Sequence, residues 1–462
     1  MKYDDFIDGK LSRVPPTGIA RVPDMHPSMF PFQRDIVAWA LRRGRAAIFA
    51  DTGLGKTRMQ IEWARHVGRR TLILAPLAVA SQTAAEGERL NAKVSVCRDD
   101  SDVRDGINLT NYDRIHKFDP QRFGAVVLDE SSIIKHHDAK TLRTLLDSFA
   151  STPFKLCATA TPSPNDYTEL GTHAEFLGVC SRAEMLAEYF CHDGGETSVW
   201  RLKGHARQVF WRWVASWAAL VRKPSDLGHD DAGYDLPPLD VRQHILDADA
   251  AVVRAAGLLF AAPASSLTER RDARRSSMAS RVDACAKIVN GDRQPWVVWC
   301  DLNAESEALT AAIDGAVEVR GSQDVDEKER RLCDFAEGRA RVIVSKPSIC
   351  GFGLNWQHCA RMAFVGVTDS YEAYYQAVRR IWRFGQRHPC VVHVYASEIE
   401  GAVVDNLARK QRDAEKMAEE LSVETRDAMR AEVVGATVRS VNGYDSRTFA
   451  MPLWLVSDRS DA

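Results

Sequence analysis

The residues best suited to chemistry on a phosphate chain sit in one run, Ala50-Asp51-Thr52-Gly53-Leu54-Gly55-Lys56-Thr57. Ala46–Ala50 is a short apolar stretch that reads as a buried strand, and a helix is expected from Lys56 to His66. A glycine-rich turn between strand and helix points backbone N–H groups and the helix N-terminus at an anion. Thr52, Gly53 and Gly55 shape that cradle. Lys56 is placed to reach the β- and γ-phosphates, and the Thr57 hydroxyl to ligate Mg²⁺. Ala50 stands where the usual pattern has Gly, although smallness is the physical requirement.

Further groups suit the same chemistry or its coupling to a second site. Asp129 and Glu130 end the apolar run Ala125–Leu128, which puts acidic groups at the carboxyl edge of a sheet, where ligands bind in open α/β folds. Asp129 suits a magnesium ion and Glu130 an attacking water. Gln376, Arg380 and Arg383 are spaced i, i+4, i+7, and on a helix they would share one face. Arginines aimed across a cleft suit a γ-phosphate whose charge grows during hydrolysis. Gln33 has an amide able to read an adenine edge. Thr159 and Thr161 follow another apolar run, where hydroxyls can sit between a nucleotide and a second site. Gly351 and Gly353, with Asn355, permit a tight loop near a backbone or ligand.

The elements that must position these residues alternate. Helices are expected over Pro31–Arg43 and Val79–Arg89. Strands are expected at Thr71–Ala75, Lys93–Cys97, Gly106–Thr110, Ala125–Leu128 and Lys155–Ala158. This rhythm is that of a parallel α/β sheet. Residues 170–235 break it and read as helical. The Pro-containing stretch Asp235–Asp240 reads as a linker. The rhythm resumes with a helix at Val282–Asn290 and strands at Trp296–Trp299, Arg341–Val344, Met362–Val365 and Val391–Val394. Residues 401–432 are charged and helix-prone. The division expected is a lead-in over 1–30, a first lobe over 31–230 with a helical insert at about 170–230, and a second lobe over 231–462.

The chain has 462 residues, which suits two to three domains. Its formal net charge is -2, so any nucleic-acid surface must be a local patch. The 10 cysteines form no Cys-x-x-Cys pair and read as reduced thiols of an intracellular protein. Cys180, Cys191, His192 and His173 match no common zinc spacing. No segment has a signal peptide's apolar core, and none approaches the ~20 apolar residues of a membrane span.

Taken together these stretches resemble the superfamily 2 helicase-like ATPases, closest to Swi/Snf-type double-stranded DNA translocases, and within them the DEAD/DEAH-like helicases encoded by bacteriophages. The resemblance covers roughly residues 28–410. It runs through Phe32-Gln33, Asp51–Thr57, Ala75–Gln82, Leu109–Tyr112, Asp129-Glu130-Ser131-Ser132, Ala158–Asn165, Gly351–Asn355 and Gln376–Gln386. It departs at Ala160, where relatives usually have Gly, at Ser345–Cys350, and at Ser131-Ser132, which fit neither DEAD nor DEAH.

The resemblance implies two RecA-like parallel-sheet lobes in tandem with ATP and Mg²⁺ in the cleft between them. It also implies a coupling role for Thr159 and Thr161 and nucleic-acid contact near Gly351, Gly353 and Asn355. The expected partner is double-stranded DNA, with replication or recombination proteins as further candidates. A monomer is expected, in the cytoplasm, or in the bacterial host cytoplasm if phage-encoded. The alternatives are a strand-separating DNA or RNA helicase and a partner-dependent, ATP-gated binding module. For DNA contact the sequence offers the run Arg270, Arg271, Arg274 and Arg275, for which a solvated face is the plainer reading. Around Trp200–Trp213 bases and aromatics mix, and Phe210, Val214, Trp217 and Val221 at helical spacing favour a core reading over a stacking platform.

Overall fold

The computed structural model describes residues 16–76, 79–136, 139–163, 166–193, 196–246, 277–350, 355–366, 370–397, 409 and 425–434. Helix α1 (Pro31–Arg43) opens with Pro31 at its first turn, where a missing N–H costs nothing, and stops at Gly44. Strand β1 (Arg45–Ala50) follows, then α2 (Lys56–Val67), which ends on the left-handed Gly68. Next come β2 (Thr71–Ala75), α3 (Ala80–Arg89), β3 (Val94–Val96), β4 (Ile107–Asn111), β5 (Ala125–Asp129), α4 (Lys140–Ser148) and β6 (Phe154–Thr159). Each matches an expected element to within two residues where the sequence makes one.

Residues 170–235 differ from expectation. Among the described residues they hold the α-helices α5 (Leu170–Leu177), α6 (Arg182–Tyr189) and α7 (Arg207–Ala215), but also an antiparallel pair, β7 (Phe190–Asp193) with β8 (Glu196–Leu202). Strand β9 (Ala218–Val221) then pairs in parallel with β1, Ala47 opposite Ala218 and Ala50 opposite Val221. The aromatic density of this region hid a four-residue apolar strand, and the sequence pair Gly194-Gly195 is the hairpin signal the helical reading passed over.

The first sheet has seven strands, all parallel, in the order β3-β4-β2-β5-β6-β1-β9. Strand residues alternate between its two faces. Ala46, Ile48 and Ala50 pack with Ile36, Trp39, Ile61 and Trp63. Ala47 and Phe49 pack on the other face with Phe149, Phe176, Phe210 and Trp217. Both faces are covered, as a parallel sheet requires. The tryptophans Trp211, Trp213 and Trp217 are buried in this second layer, which settles them as core.

The second sheet has six strands, again all parallel, in the order β10-β15-β14-β11-β13-β12. These are β10 (Leu239–Leu246), β11 (Trp296–Trp299), β12 (Ala316–Val319), β13 (Val342–Ser345), β14 (Arg361–Phe364) and β15 (Cys390–Ser397). Helices α8 (Met278–Gly291), α9 (Asn303–Ala312), α10 (Val325–Ala336) and α11 (Tyr371–Val378) accompany it. Val297 and Trp299 face one core, Trp296 and Val298 the other. The chain is thus an α/β protein built on two large parallel sheets, consistent with two RecA-like lobes. Of residues 401–432 only Arg409 and the stretch from Thr425 are described. The latter is helical and ends in a π-helical turn, Arg430–Val434. Arg270, Arg271, Arg274 and Arg275 lie outside the described residues.

Candidate active site at the carboxyl ends of the first sheet

The phosphate-type loop is held open by its glycines. Gly53 and Gly55 have φ of 96° and 83°, a region L-residues with side chains rarely enter. A Cβ on Gly55 would meet the Gln33 amide nitrogen at 2.4 Å, so the loop and Gln33 are fitted to each other. Gln33 is buried. Its Nε2 donates to the Leu54 carbonyl at 2.8 Å and its Oε1 accepts from the Phe30 N–H at 3.1 Å. Here the amide ties the loop to the lead-in. Lys56 begins α2, and its Nζ donates to the Ala50 carbonyl at 2.9 Å. Burial pulls its pKa down, opposed by Glu130, Asp51 and Asp129, while Arg383 pulls down further.

Asp129 and Glu130 close β5, the strand two places from β1 in the sheet. Burial pushes the Asp129 pKa up to about 6, and Glu130 adds to the rise, while a hydrogen bond from Gln60 and the charge of Lys56 oppose it. That bond, Gln60 Nε2 to Asp129 Oδ1, is 2.6 Å long and buried. Tyr112 donates its hydroxyl to the Asp129 carbonyl at 2.6 Å. Glu130 has φ 51°, ψ 52°, and only Asn91 shares a positive φ among the described non-glycine residues. Such backbone strain gathers where a site fixes a side chain against its preference. Glu130 Oε2 is buried and has no hydrogen-bond partner among the described residues.

These features fit a cation and a polyanion. Two carboxylates side by side, one already pushed toward protonation, leave surplus negative charge where a divalent ion would relieve it. Asp129 and the Thr57 hydroxyl are the residues that would hold Mg²⁺, and Thr52, Gly53, Gly55 and Lys56 those that would cradle phosphates.

The second sheet supplies the opposite wall. Helix α11 is shorter than the i, i+4, i+7 reading requires. It ends at Val378, so Gln376 lies on it while Arg380 and Arg383 lie in the turns beyond. The reason is local. Backbone bonds shorten to i→i−3 at Arg380 N to Ala377 O and Ile381 N to Val378 O, Val378 O also takes the Trp382 N–H, and the Arg380 carbonyl is taken by the Trp356 N–H at 3.0 Å. Gln376 and Arg380 are buried. Arg383 is half-buried and comes within electrostatic reach of both Lys56 and Glu130. Burial lowers its pKa to about 10, Arg379 adding and Glu130 opposing.

Several contacts cross between the sheets. Tyr375 and Arg379 bind the Asp51 carboxylate at 2.5 and 3.1 Å. Glu372 pairs with Lys135 and accepts from the Thr161 hydroxyl at 3.4 Å. Thr161 N donates to Thr159 Oγ1 at 3.1 Å, so of the two expected coupling residues Thr161 touches α11 and Thr159 sits behind it at the end of β6. A Cβ on Gly53 would meet the Phe384 backbone nitrogen at 3.0 Å. Phe384 also stacks on Tyr234, ring centroids 4.7 Å apart, and meets Phe30 edge-on at 6.1 Å. Asn355 is exposed, and Gly351 and Gly353 lie outside the described residues.

Residues 282–385 match the family described as the helicase conserved C-terminal domain. That segment of the second sheet's half is what the chain shares with helicases. The matched segment spans β11 to β14, α11 and the turn holding Arg380 and Arg383, and supports a superfamily 2 helicase-like protein, a nucleic-acid-associated ATPase motor in general terms. No curated protein matches the chain. The phosphate-type loop and acidic pair lie outside the helicase-domain match and face it.

Sequence reasoning missed the residues that join the two sides: Asp51, Glu372, Tyr375 and Arg379. It also missed Gln60 and Tyr112 behind the acidic pair. Of these, Glu372, Tyr375 and Arg379 had a readable signal, since with Gln376 they repeat at i, i+3, i+4 and i+7 along α11. Gln60 and Tyr112 had none, because their partners are 69 and 17 residues away. Among the described residues no group of three His, Cys, Asp or Glu could hold a metal ion. His173 instead is fully buried, with its ring nitrogen 3.1 Å from the Ser131 hydroxyl. Among the described residues no helix is long and apolar enough to cross a membrane.

Proposed function

We propose that this chain is an ATP-driven motor that moves along double-stranded DNA, hydrolysing ATP in the cleft between its two sheets. The observation that carries the reading is the meeting of Arg383, from the helicase domain, with Lys56 and Glu130, from the first sheet, in one electrostatic cluster. Lys56 binds the terminal phosphates, with the loop N–H groups around Gly53 and Gly55. Mg²⁺ on Thr57 and Asp129 would neutralise phosphate charge. Glu130, its Oε2 held without a partner, orients the attacking water and takes its proton. Arg383, with Arg380 and Gln376, offsets the charge that grows on the γ-phosphate.

The adenine has a candidate wall in Phe30, Tyr234 and Phe384, rings beside the loop that come from both sides of the cleft. Loss of the γ-phosphate removes the anion that both walls share. The lobes then part, and repeated closure and opening steps the protein along its track. Thr161, which bonds to Glu372, and Thr159, which accepts from the Thr161 N–H, pass that change to the nucleic-acid side.

The test is ATP turnover alone and with double-stranded DNA, single-stranded DNA or RNA, with Lys56→Ala as the blank. Stimulation by duplex DNA is expected. Stimulation by single strands or RNA alone would replace the duplex translocase with a strand-separating helicase. Turnover that ignores every nucleic acid would leave a partner-dependent ATPase.

A further inference from the structure

The Asp51 carboxylate is the point where the two halves of the molecule hold each other. It sits inside the phosphate-type loop, one residue past β1. Its Oδ1 accepts from the Thr52 N–H at 2.6 Å and from the Tyr375 hydroxyl at 2.5 Å. Its Oδ2 pairs with Arg379 Nη2 at 3.1 Å. Both oxygens are therefore engaged, one by its own loop and the helicase domain together, the other by the helicase domain alone. Arg379 is fixed in turn, its guanidinium lying 5.1 Å from the Tyr375 ring centroid and 4.5 Å from that of Trp382. The pair is mostly shielded from water, with side-chain exposures of 12% for Arg379 and 22% for Asp51. Burial alone would raise the Asp51 pKa, but Arg379, Tyr375, the Thr52 N–H and Lys56 outweigh it and hold it below the ordinary carboxylate range.

Arg379 stands four residues before Arg383, in the turn that carries Arg383 toward Glu130 and Lys56. Phe384, the next residue, rests on Gly53 of the same loop. A shift of the Asp51 contact therefore moves Arg383 relative to the loop. We propose that Asp51, Tyr375 and Arg379 are positioning residues. In this scheme Asp51 is a built-in anion on the loop that docks the helicase domain and sets the reach of Arg383. The idea rests on the hydrolytic reading above for its catalytic consequence, but not for the docking itself. It separates the roles of two arginines four residues apart: Arg383 acts on the nucleotide, and Arg379 acts on the protein.

The experiment is a double-mutant cycle with two readouts. Asp51→Asn keeps an oxygen for the Thr52 N–H and removes the charge. Arg379→Gln removes the other charge. Small-angle scattering without nucleotide reads lobe separation, and steady-state kinetics read kcat and KM for ATP. Each single variant is expected to raise the radius of gyration, and the double variant to raise it no further. Each is expected to lower kcat about tenfold with KM changed less than about twofold, and the double variant to lose the same factor of about ten rather than about a hundred. Tyr375→Phe should move both readouts the same way by less, and serves if Asp51→Asn does not fold. Unchanged scattering in the single variants, or multiplicative kcat losses, overturns the proposal. So does a collapse of ATP affinity in Arg379→Gln with Asp51→Asn near wild type, because Arg379 would then bind nucleotide itself. If Lys56-dependent turnover is absent, the hydrolytic reading fails, and the nucleotide-free scattering still decides the docking.

Discussion

Gln60 shows what a neutral side chain can do beside a buried acid. Asp129 is pushed up to about 6 by burial and by Glu130, and the 2.6 Å bond from Gln60 does most to favour its ionised form. A metal ligand held this way depends on its outer partner. Gln60→Leu is expected to raise the Mg²⁺ concentration for half-maximal ATP turnover about tenfold, with maximal turnover largely recovered at high Mg²⁺. A magnesium titration at saturating ATP checks it, and an unchanged midpoint would mean that Gln60 only fills space. His173 offers a second test at this scale. Burial lowers its pKa to about 4, against the unfolded value of about 6.5. Its neutral form is therefore the native one. Stability is full above about pH 6.5 and falls as the pH drops to about 4, where the native ring also takes a proton. The loss is bounded at about 3 kcal/mol. His173→Gln should flatten the change in Tm between pH 7 and pH 5. An equally steep profile would assign the acid sensitivity to other groups.

Helix α11 is the element on which the two halves meet, and its sequence disclosed only part of that. The apolar runs at β1, β2, β5, β6, β11 and β13 were legible because a parallel sheet covered on both faces needs continuous hydrophobic strands. The phosphate-type loop was legible because chain neighbours build it. The end of α11 was not. Nothing in Val378-Arg379-Arg380 breaks a helix, and the stop comes from Trp356, whose N–H takes the Arg380 carbonyl from more than twenty residues away. The strand β9 escaped for a related reason, since four residues next to β1 count as a strand only once the partner is in place. Because Arg383 hangs on a turn rather than a helix, its placement rests on contacts around it. Arg383→Ala should leave ATP affinity within about twofold and lower kcat by ~10³. Equilibrium nucleotide binding and single-turnover hydrolysis separate these effects. A large loss of affinity with normal turnover would make Arg383 a binding residue instead.

At the scale of the whole molecule the chain does not run simply from one sheet to the next. After β15 completes its place in the second sheet, the segment Thr425–Val434 lies back on the first. Met429 and Val433 are fully buried among the residues that cover one face of the first sheet, with Leu41, Ala219 and Leu227. The Met429 sulfur accepts from the Leu220 N–H of the edge strand β9 at 3.3 Å. Arg430 donates to the carbonyls of Ser225 and Asp226, and Glu432 pairs with Arg43 at the end of α1. A parallel sheet that ends on a four-residue strand has a weak edge, and this segment covers it. The core of the first sheet therefore includes residues about 200 positions later in the chain, which limits how the two halves separate and how the first folds without the second. Met429→Ala removes a fully buried side chain and should cost about 2–5 kcal/mol, a fall in Tm of several degrees, whereas Met429→Leu should cost under about 1.5 kcal/mol. Hydrogen exchange locates the effect. Amides of β9 and α1 should lose protection in Met429→Ala while those of β11 and β13 keep theirs. Equal loss in both sheets would mean that the segment braces the molecule as a single unit, and no loss at β9 would mean that it merely rests on the surface.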